Sequence, residues 1–161
     1  MEFLTGVLQK ETMEISDLVR PGLEGSEVKV NGAIHTIRDM GPIAFVILRK
    51  REGLLQCVYE PGAADFSLKD LKEADTIEVS GTLALSEKAP SGIEVRMKSV
   101  RILSEPTEAM PIPVSKWKMN VSLETNLDLR PISLRNIRER AKFRIQEGIV
   151  RGFRDFLTAQ G

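Results

Sequence analysis

The pattern of apolar and polar positions between Glu27 and Ser104 predicts β structure. Five runs rich in β-branched residues are bounded by turn-forming residues, which is typical of strands joined by short loops. The predicted strands are Val28–Arg38, Ile43–Arg49, Leu54–Tyr59, Thr76–Leu85 and Ile93–Leu103, and the polar interval Ser67–Ala74 has the length of a short helix. Three strands, a small helix and two more strands is the order of a five-stranded Greek-key barrel. We therefore predict a mainly β fold in this part of the chain.

A proline-rich stretch follows, and the pattern then becomes helical. Three prolines between residues 105 and 113 lack amide donors and disfavour helix just before them, so this linker is expected to be extended. Beyond a predicted N-cap at Ser133, apolar residues recur at every fourth position, namely Ile137, Ala141, Ile145, Ile149, Phe153 and Leu157. This spacing places them, as an apolar stripe, on one side of a long C-terminal α-helix of about seven turns. The stripe needs the barrel, a second copy of the chain or a further domain to cover it.

Composition excludes several classes of protein. The 161 residues are 42% hydrophobic and 29% charged with a formal net charge of zero, which fits a folded domain with an appendage rather than a disordered chain. Cys57 and His35 are each alone in the chain, so an intrachain disulfide and multi-cysteine or multi-histidine metal sites are excluded. No apolar run reaches the roughly 18 residues of a membrane helix, and Met1–Asp17 lacks an apolar signal core. A cytoplasmic protein without a membrane partner is expected.

The motifs of common catalytic sites do not occur in the sequence. There is no glycine-rich nucleotide loop and no zinc-ligand spacing, and a lone histidine rules out histidine-based triads within the chain. The acidic residues are scattered among turns and helix faces and are interpreted as solvated carboxylates. We therefore assign no catalytic, cofactor-binding or metal-binding residue.

Candidate binding chemistry is concentrated on the first three predicted strands. They carry Arg38, Phe45, Arg49 and Gln56. Lys50 and Arg51, in the turn that follows the second strand, are expected to add attraction for phosphates. An aromatic ring can stack on an unpaired base, and Gln and Arg side chains can read base edges or hold phosphates. The cluster therefore favours single-stranded nucleic acid as a ligand. Three of these residues also have an ordinary interpretation: Phe45 in the core, Gln56 as a solvated strand residue and Arg38 as a surface charge.

Two segments resemble a known enzyme family. The run Val30–Gly41, followed by Phe45, Leu48-Arg49, Arg51-Glu52-Gly53 and Gln56, resembles the anticodon-binding domain of aspartyl- and asparaginyl-tRNA synthetases. Leu127–Pro131, Phe143-Arg144-Ile145 and Phe153–Leu157 look like the opening of the class II catalytic domain, the motif 1 helix. The resemblance implies an OB-fold anticodon-binding barrel in residues 1–104, a hinge in residues 105–126 and the first helix of a catalytic domain in residues 127–161.

The resemblance also implies roles for individual residues. Phe45 would stack on the central anticodon base, a uridine in aspartate and asparagine tRNAs, and Arg38 and Gln56 would hydrogen-bond base edges. His35 and Pro90 occupy positions where those residue types accompany rejection of asparagine tRNA, which favours an aspartate enzyme. The predicted anticodon-binding set is Arg38, Phe45, Arg49, Gln56, His35 and Pro90. The apolar stripe would lie at the interface of a two-fold homodimer.

Motifs 2 and 3 of the class II synthetases, which bind ATP, magnesium and the amino acid, find no match in the chain. We therefore expect no cofactor and no aminoacylation for this chain alone, whereas a full-length parent would be an ATP- and Mg-dependent aspartate–tRNA ligase. Three alternatives stay open: part of an asparaginyl-tRNA synthetase, a general single-strand-binding OB protein, and a dimerisation or regulatory module derived from a synthetase.

Overall fold

A computed structural model of the chain describes residues 11–161. The chain divides into two compact units, Met1–Thr107 and Glu108–Gly161. The first unit holds five strands, and the second holds a long C-terminal helix.

The first unit is a closed β-barrel. Its strands are β1 (Glu27–Asp39), β2 (Ala44–Arg49), β3 (Leu54–Tyr59), β4 (Thr76–Leu85) and β5 (Ile93–Ser104). Around the barrel their order is β1-β2-β3-β5-β4, and β3 with β5 is the parallel pair among antiparallel ones. The predicted mainly β, five-stranded OB-fold barrel is confirmed, and every strand bound lies within about one residue of its predicted position.

Alternation along the strands separates an apolar interior from an outer face. On β2, Ala44, Val46 and Leu48 are buried in the barrel core, while the residues between them point away from it. A short helix, α1 (Ile15–Leu18), adds Leu18 to the same core. Burial of each Val- or Leu-sized side chain contributes about 1.5–3 kcal/mol, so a core of this kind stabilises the barrel without disulfides or metals.

A bulge in β1 decides which way its second half faces. The register between β1 and β2 shifts between Ile34 and Thr36, which leaves His35 as the extra residue. Before the bulge Val30 and Ile34 point into the core, and after it Ile37 packs against the core instead. Without the bulge Arg38, an even position like Val30 and Ile34, would point into the barrel. The bulge therefore turns Arg38 to the outer face.

The helix expected within Ser67–Ala74 occupies only part of that interval. The structure has one 3-10 turn, Leu68–Asp70, in which the Ser67 hydroxyl accepts from Lys69 N and the Asp70 carboxylate accepts from Ser67 N. Leu71 then takes an extended conformation and enters the barrel core. Burial of Leu71 explains why the helix stops after one turn.

The second unit begins with irregular chain and continues as three helices. Residues 108–122 form neither helix nor strand. The helices are α2 (Leu123–Asp128), α3 (Arg130–Ser133) and α4 (Ile137–Gln160). The predicted N-cap at Ser133 was wrong, because Asn136 caps α4 by accepting from the amides of Arg138 and Glu139 at 3.0 and 3.2 Å. Ser133 is buried, and its hydroxyl donates to backbone carbonyls instead.

The long helix α4 carries the predicted apolar stripe on an exposed surface. Its 24 residues span about 36 Å at ~1.5 Å per residue. Ile145, Ile149 and Phe153 are 64%, 66% and 66% exposed, and Ala141 and Leu157 are exposed as well. Ile137, in the first turn, is half-buried. Between residues 11 and 161, no helix combines the length and the apolar character that a bilayer span requires.

Candidate nucleic-acid interface

Strand pairing brings the predicted aromatic and basic residues together on the outer face of β1, β2 and β3. Phe45 pairs with Arg38 of β1 on one side and with Val58 of β3 on the other. Directly opposed residues of an antiparallel pair project on the same face, with Cβ atoms about 4.5–5.5 Å apart. The three side chains therefore form one row across the sheet, here called the Phe45 row.

The Phe45 ring belongs to this outer face and not to the core. Its chain neighbours Ala44 and Val46 are 1% and 0% exposed and lie in the core cluster, so strand alternation turns Phe45 the other way. The residue is half-buried, which leaves part of the side chain accessible to a ligand. A half-accessible aromatic side chain beside an exposed Arg38 has the geometry needed to stack on an unpaired base.

A second row lies beside the first and contains Gln56. Ile47 of β2 pairs with Gln56, and Gln56 pairs with Glu94 of β5. The Gln56 amide Nε2 donates to the Glu94 carboxylate at 3.0 Å. This bond fixes the orientation of the amide, so that its oxygen is the atom left to accept from a base edge. Glu94 was not predicted from the sequence, because its contact depends on the parallel pairing of two strands far apart in the chain.

The Phe45 row also includes a second arginine that sequence reasoning missed. Val58 pairs with Arg96 of β5, an exposed residue whose chain neighbours Val95 and Met97 are buried. The order across the sheet is therefore Arg38, Phe45, Val58 and Arg96. An arginine therefore stands at each end of this row, and guanidinium groups bind phosphates or base edges bidentately.

Three other predicted residues lie at the margins of this face or beneath it. Arg49 pairs with Ala33 and Leu54 and is half-buried. Pro90 is exposed in the loop between β4 and β5, next to buried Ala89. His35 is 6% exposed at the β1 bulge, so its ring is not displayed to a ligand as Phe45 is.

The expectation that Lys50 adds phosphate attraction was wrong. Its side chain is 1% exposed, and its ammonium donates to the Asn31 carbonyl at 2.8 Å and lies 3.4 Å from the Glu14 carboxylate. The physical reason is strand alternation, because position 50 continues the inward series of Val46 and Leu48. Arg51 remains exposed in the turn.

The outer face carries groups that suit ligand binding. Across residues 11–161 no group of three or more His, Cys, Asp or Glu side chains is placed to hold a metal ion. The Cys57 thiol is fully buried, and burial raises its pKa to about 12, so it is neither a thiolate nor accessible near neutral pH. Stacking, hydrogen bonding to base edges and phosphate attraction are what the outer face offers.

The sequence of the chain matches one family of known proteins. Residues 28–103 match the family described as the OB-fold nucleic acid binding domain. The chain is 38% identical over 141 residues to the aspartate–tRNA(Asp/Asn) ligase of Deinococcus radiodurans, covering 88% of this chain and 31% of that protein. It is 35% identical over 147 residues to the enzyme of the same name from Archaeoglobus fulgidus, covering 89% of this chain and 34% of that protein.

A solved structure agrees with these sequence matches. The asparaginyl-tRNA synthetase of Pyrococcus horikoshii superimposes with a TM-score of 0.75 at 25% identity, over 89% of this chain and 33% of that one. The chain thus spans about a third of the length of the relatives it matches. Residues 28–103 therefore form an anticodon-binding OB-fold domain of the aspartate–tRNA ligase family.

Proposed function

We propose that the outer face of β1, β2 and β3 binds the unpaired anticodon loop of a tRNA, with Phe45 stacked on the central base. The observation that carries this proposal is the pairing of Phe45 with Arg38 on the face turned away from the core. Stacking on one aromatic ring contributes about 1–3 kcal/mol and tolerates any base, so the polar neighbours must supply the sequence preference.

Gln56 and Glu94 are the pair best suited to that preference. The Glu94 carboxylate holds the amide nitrogen of Gln56, which leaves acceptor oxygens for a ligand. A uridine offers its N3–H donor to such an acceptor. Arg38 and Arg96 then bind the carbonyls of the base or the adjoining phosphates, and Arg49 adds a further cation. The central uridine of aspartate and asparagine anticodons fits this arrangement.

The whole protein is proposed to be an ATP- and Mg-dependent aspartate–tRNA ligase of the cytoplasm. In it residues 1–104 would serve as the anticodon-binding domain, residues 105–126 as the hinge and residues 127–161 as the motif 1 helix. The shared name of the two bacterial and archaeal relatives supports the aspartate assignment. Similarity to the asparaginyl-tRNA synthetase of Pyrococcus horikoshii supports asparagine as the alternative amino acid.

The apolar stripe of α4 is proposed to form the interface of a two-fold homodimer. Ile145, Ile149 and Phe153 are more than half exposed, and contiguous apolar surface of this kind marks interaction sites. Sedimentation velocity of the 161-residue protein tests this. Ile149→Ser is expected to shift dimer towards monomer, whereas the matched Arg151→Ser, on the opposite side of α4, leaves the dimer intact. A monomeric unmodified protein at tens of micromolar would contradict the dimer.

Selectivity for aspartate tRNA is a finer proposal that rests on His35 and Pro90. Since His35 is buried at the β1 bulge, its effect would pass through the shape of the strand that carries Arg38. Pro90 would act from its exposed loop. Anticodon stem-loops of the aspartate and asparagine types provide the test. Tighter binding of the aspartate type is expected. Equal binding would show that the domain accepts both tRNA types, which is the specificity that the name aspartate–tRNA(Asp/Asn) ligase gives to the two relatives.

Comparison of ligands at fixed salt tests the anticodon proposal itself. An anticodon stem-loop with a central uridine is expected to bind at least about tenfold more tightly than a scrambled oligonucleotide of equal length and charge. A general single-strand-binding barrel would bind both equally and with the same salt dependence. Equal affinities would therefore refute anticodon recognition.

A further inference from the structure

Trp117 is the one tryptophan of the chain, and its surroundings in the second unit are unusual for so large an apolar residue. It is 74% exposed, although tryptophan is normally among the more buried residue types. It lies in the irregular segment before α2, between exposed Lys116 and Lys118. An exposed aromatic ring between two lysines either has no binding role or contacts a partner molecule.

The segment that carries Trp117 is held firmly against the start of α4. The Asn136 side chain donates through Nδ2 to the carbonyls of Val114 and Lys116, at 3.0 and 2.7 Å. Its Oδ1 at the same time caps α4 by accepting from the amide of Arg138 at 3.0 Å. Asn136 is 3% exposed, and its bond to the Val114 carbonyl is fully buried. One side chain thus fixes Trp117 beside the first turn of a 24-residue helix.

Positive charge lies close to the ring. The guanidinium carbon of Arg138 lies over it, 6.0 Å from its centroid. Lys142, which shares a shallow cavity with Trp117 and Arg138, is paired with Glu139 at 2.8 Å, so its charge is partly balanced. Residues 108–161 carry ten Lys or Arg and six Asp or Glu, a formal net charge of +4, whereas residues 1–107 carry 13 and 17, a net charge of −4. The zero net charge of the chain is therefore the sum of an acidic first unit and a basic second unit.

We propose that Lys116, Trp117, Lys118 and Arg138, here called the Trp117 patch, form a second RNA contact, in which Trp117 stacks on an unpaired base or ribose and the cations bind the adjoining phosphates. An RNA fits this patch better than a protein does, because lysine is depleted where proteins bury aromatic anchors in each other. Stacking aromatics interleaved with Lys and Arg are, by contrast, how proteins hold single-stranded nucleic acid. The inference rests on the proposed function, since it gives the same tRNA a second point of contact in the second unit.

Trp117 itself reports on the contact. Intrinsic fluorescence excited at the red edge of the tryptophan band comes from this residue alone, and acrylamide quenching measures its accessibility. A saturating aspartate-type tRNA transcript is expected to lower the quenching constant at least about threefold, as stacking covers a ring that is 74% exposed. Unchanged quenching in the saturated complex would overturn the proposal. So would equal protection in a concentrated sample without RNA, because that result would assign the ring to self-association.

Substitutions separate the patch from the barrel face. Trp117→Ala is expected to raise the Kd for the tRNA transcript about tenfold, and Lys116→Ala with Lys118→Ala to lower the slope of log Kd against log salt by one to two, roughly one for each lost phosphate contact. Leu123→Ala is the matched control, since Leu123 is also 74% exposed in the second unit. It is expected to leave both quantities unchanged. Circular dichroism of each variant checks that the helices remain folded.

Phe45→Ala, measured in parallel, distinguishes failure of this inference from failure of the proposed function. If Phe45→Ala weakens binding and Trp117→Ala does not, the Trp117 patch is refuted and anticodon recognition stands. If the unmodified protein binds the transcript no better than a scrambled oligonucleotide, the proposed function is refuted and this inference falls with it. Weaker binding in both variants supports both sites.

Discussion

Phe45 and Arg38 stand directly opposite each other in the antiparallel ladder between β1 and β2, with both side chains on the face turned away from the barrel core. Two local features produce this relationship. Strict alternation along β2 turns Phe45 outward, and the bulge at His35 reverses the alternation of β1 so that Arg38 follows. An aromatic ring and a cation are thereby held within reach of one nucleotide.

Coupling between Gln56 and Glu94 is the first prediction. Because the Glu94 carboxylate orients the Gln56 amide at 3.0 Å, removing either side chain should weaken binding of the anticodon stem-loop. The effects of Gln56→Ala and Glu94→Ala are expected to be non-additive, with a coupling of about 0.5–2 kcal/mol in a double-mutant cycle of dissociation constants. Additive effects would mean that Gln56 reads the base without help from Glu94.

Lys50 is predicted to act on stability and not on RNA binding. Lys50→Ala removes the buried cation beside Glu14 and leaves the Asn31 carbonyl without its donor, so we expect a loss of about 2–3 kcal/mol in the free energy of unfolding. Arg51→Ala, at the exposed neighbouring position, is the matched control and should change stability by less than about 0.5 kcal/mol.

Urea titration can follow this loss through the thiol of Cys57. The thiol is buried with a pKa of about 12, so it reacts with a thiol reagent only after the barrel opens. If Lys50→Ala left the urea midpoint unchanged but weakened RNA binding, Lys50 would instead be a phosphate contact.

The second unit should lose stability in acid through Glu139. A hydrogen bond from Lys142, followed by one from Asn126 and the nearby charge of Arg130, holds the pKa of this carboxyl below its usual value of 4.5. A lowered folded pKa means that the contribution is fully present above the unfolded pKa and is lost as pH falls through the folded pKa. Glu139→Gln should therefore lower the Tm of the helices, followed by circular dichroism, at pH 7, and the difference from the unmodified protein should be smaller at pH 2–3.

Glu147→Gln is the control for this pH dependence, because Glu147 is exposed on the same helix. It is expected to leave the helical Tm almost unchanged at both pH values. A deficit for Glu139→Gln that persisted undiminished at pH 2–3 would show that the charge of Glu139 is not what stabilises the helices.

Local sequence patterns were sufficient to predict the strands of the barrel but not the residue at which α4 begins. Runs such as Ala44–Arg49 are apolar, β-branched and bounded by turn residues, and each of these properties acts over a few positions. The start of α4 was misplaced because Ser133 and Asn136 are equally good N-caps. The choice between them depends on Asn136 also reaching the Val114 and Lys116 carbonyls, some 20 residues earlier in the chain.

The candidate site divides in the same way. The proximity of Phe45 and Arg38 could be predicted from the sequence, since one hairpin brings them together. The positions of Glu94 and Arg96 beside Gln56 and Val58 could not be predicted, because the parallel pairing of β3 with β5 joins residues 38 apart in the chain. Burial of Lys50 could be predicted from the sequence, because position 50 continues the inward alternation of β2.

Affinity of the 161-residue protein and of Phe45→Ala for an anticodon stem-loop with a central uridine tests the central claim most directly. Loss of the stacking ring should raise the Kd about tenfold or more, while the urea midpoint stays close to that of the unmodified protein because the ring lies outside the core. An unchanged Kd, or a loss of about 3–5 kcal/mol in stability as for a buried phenylalanine, would contradict the claim.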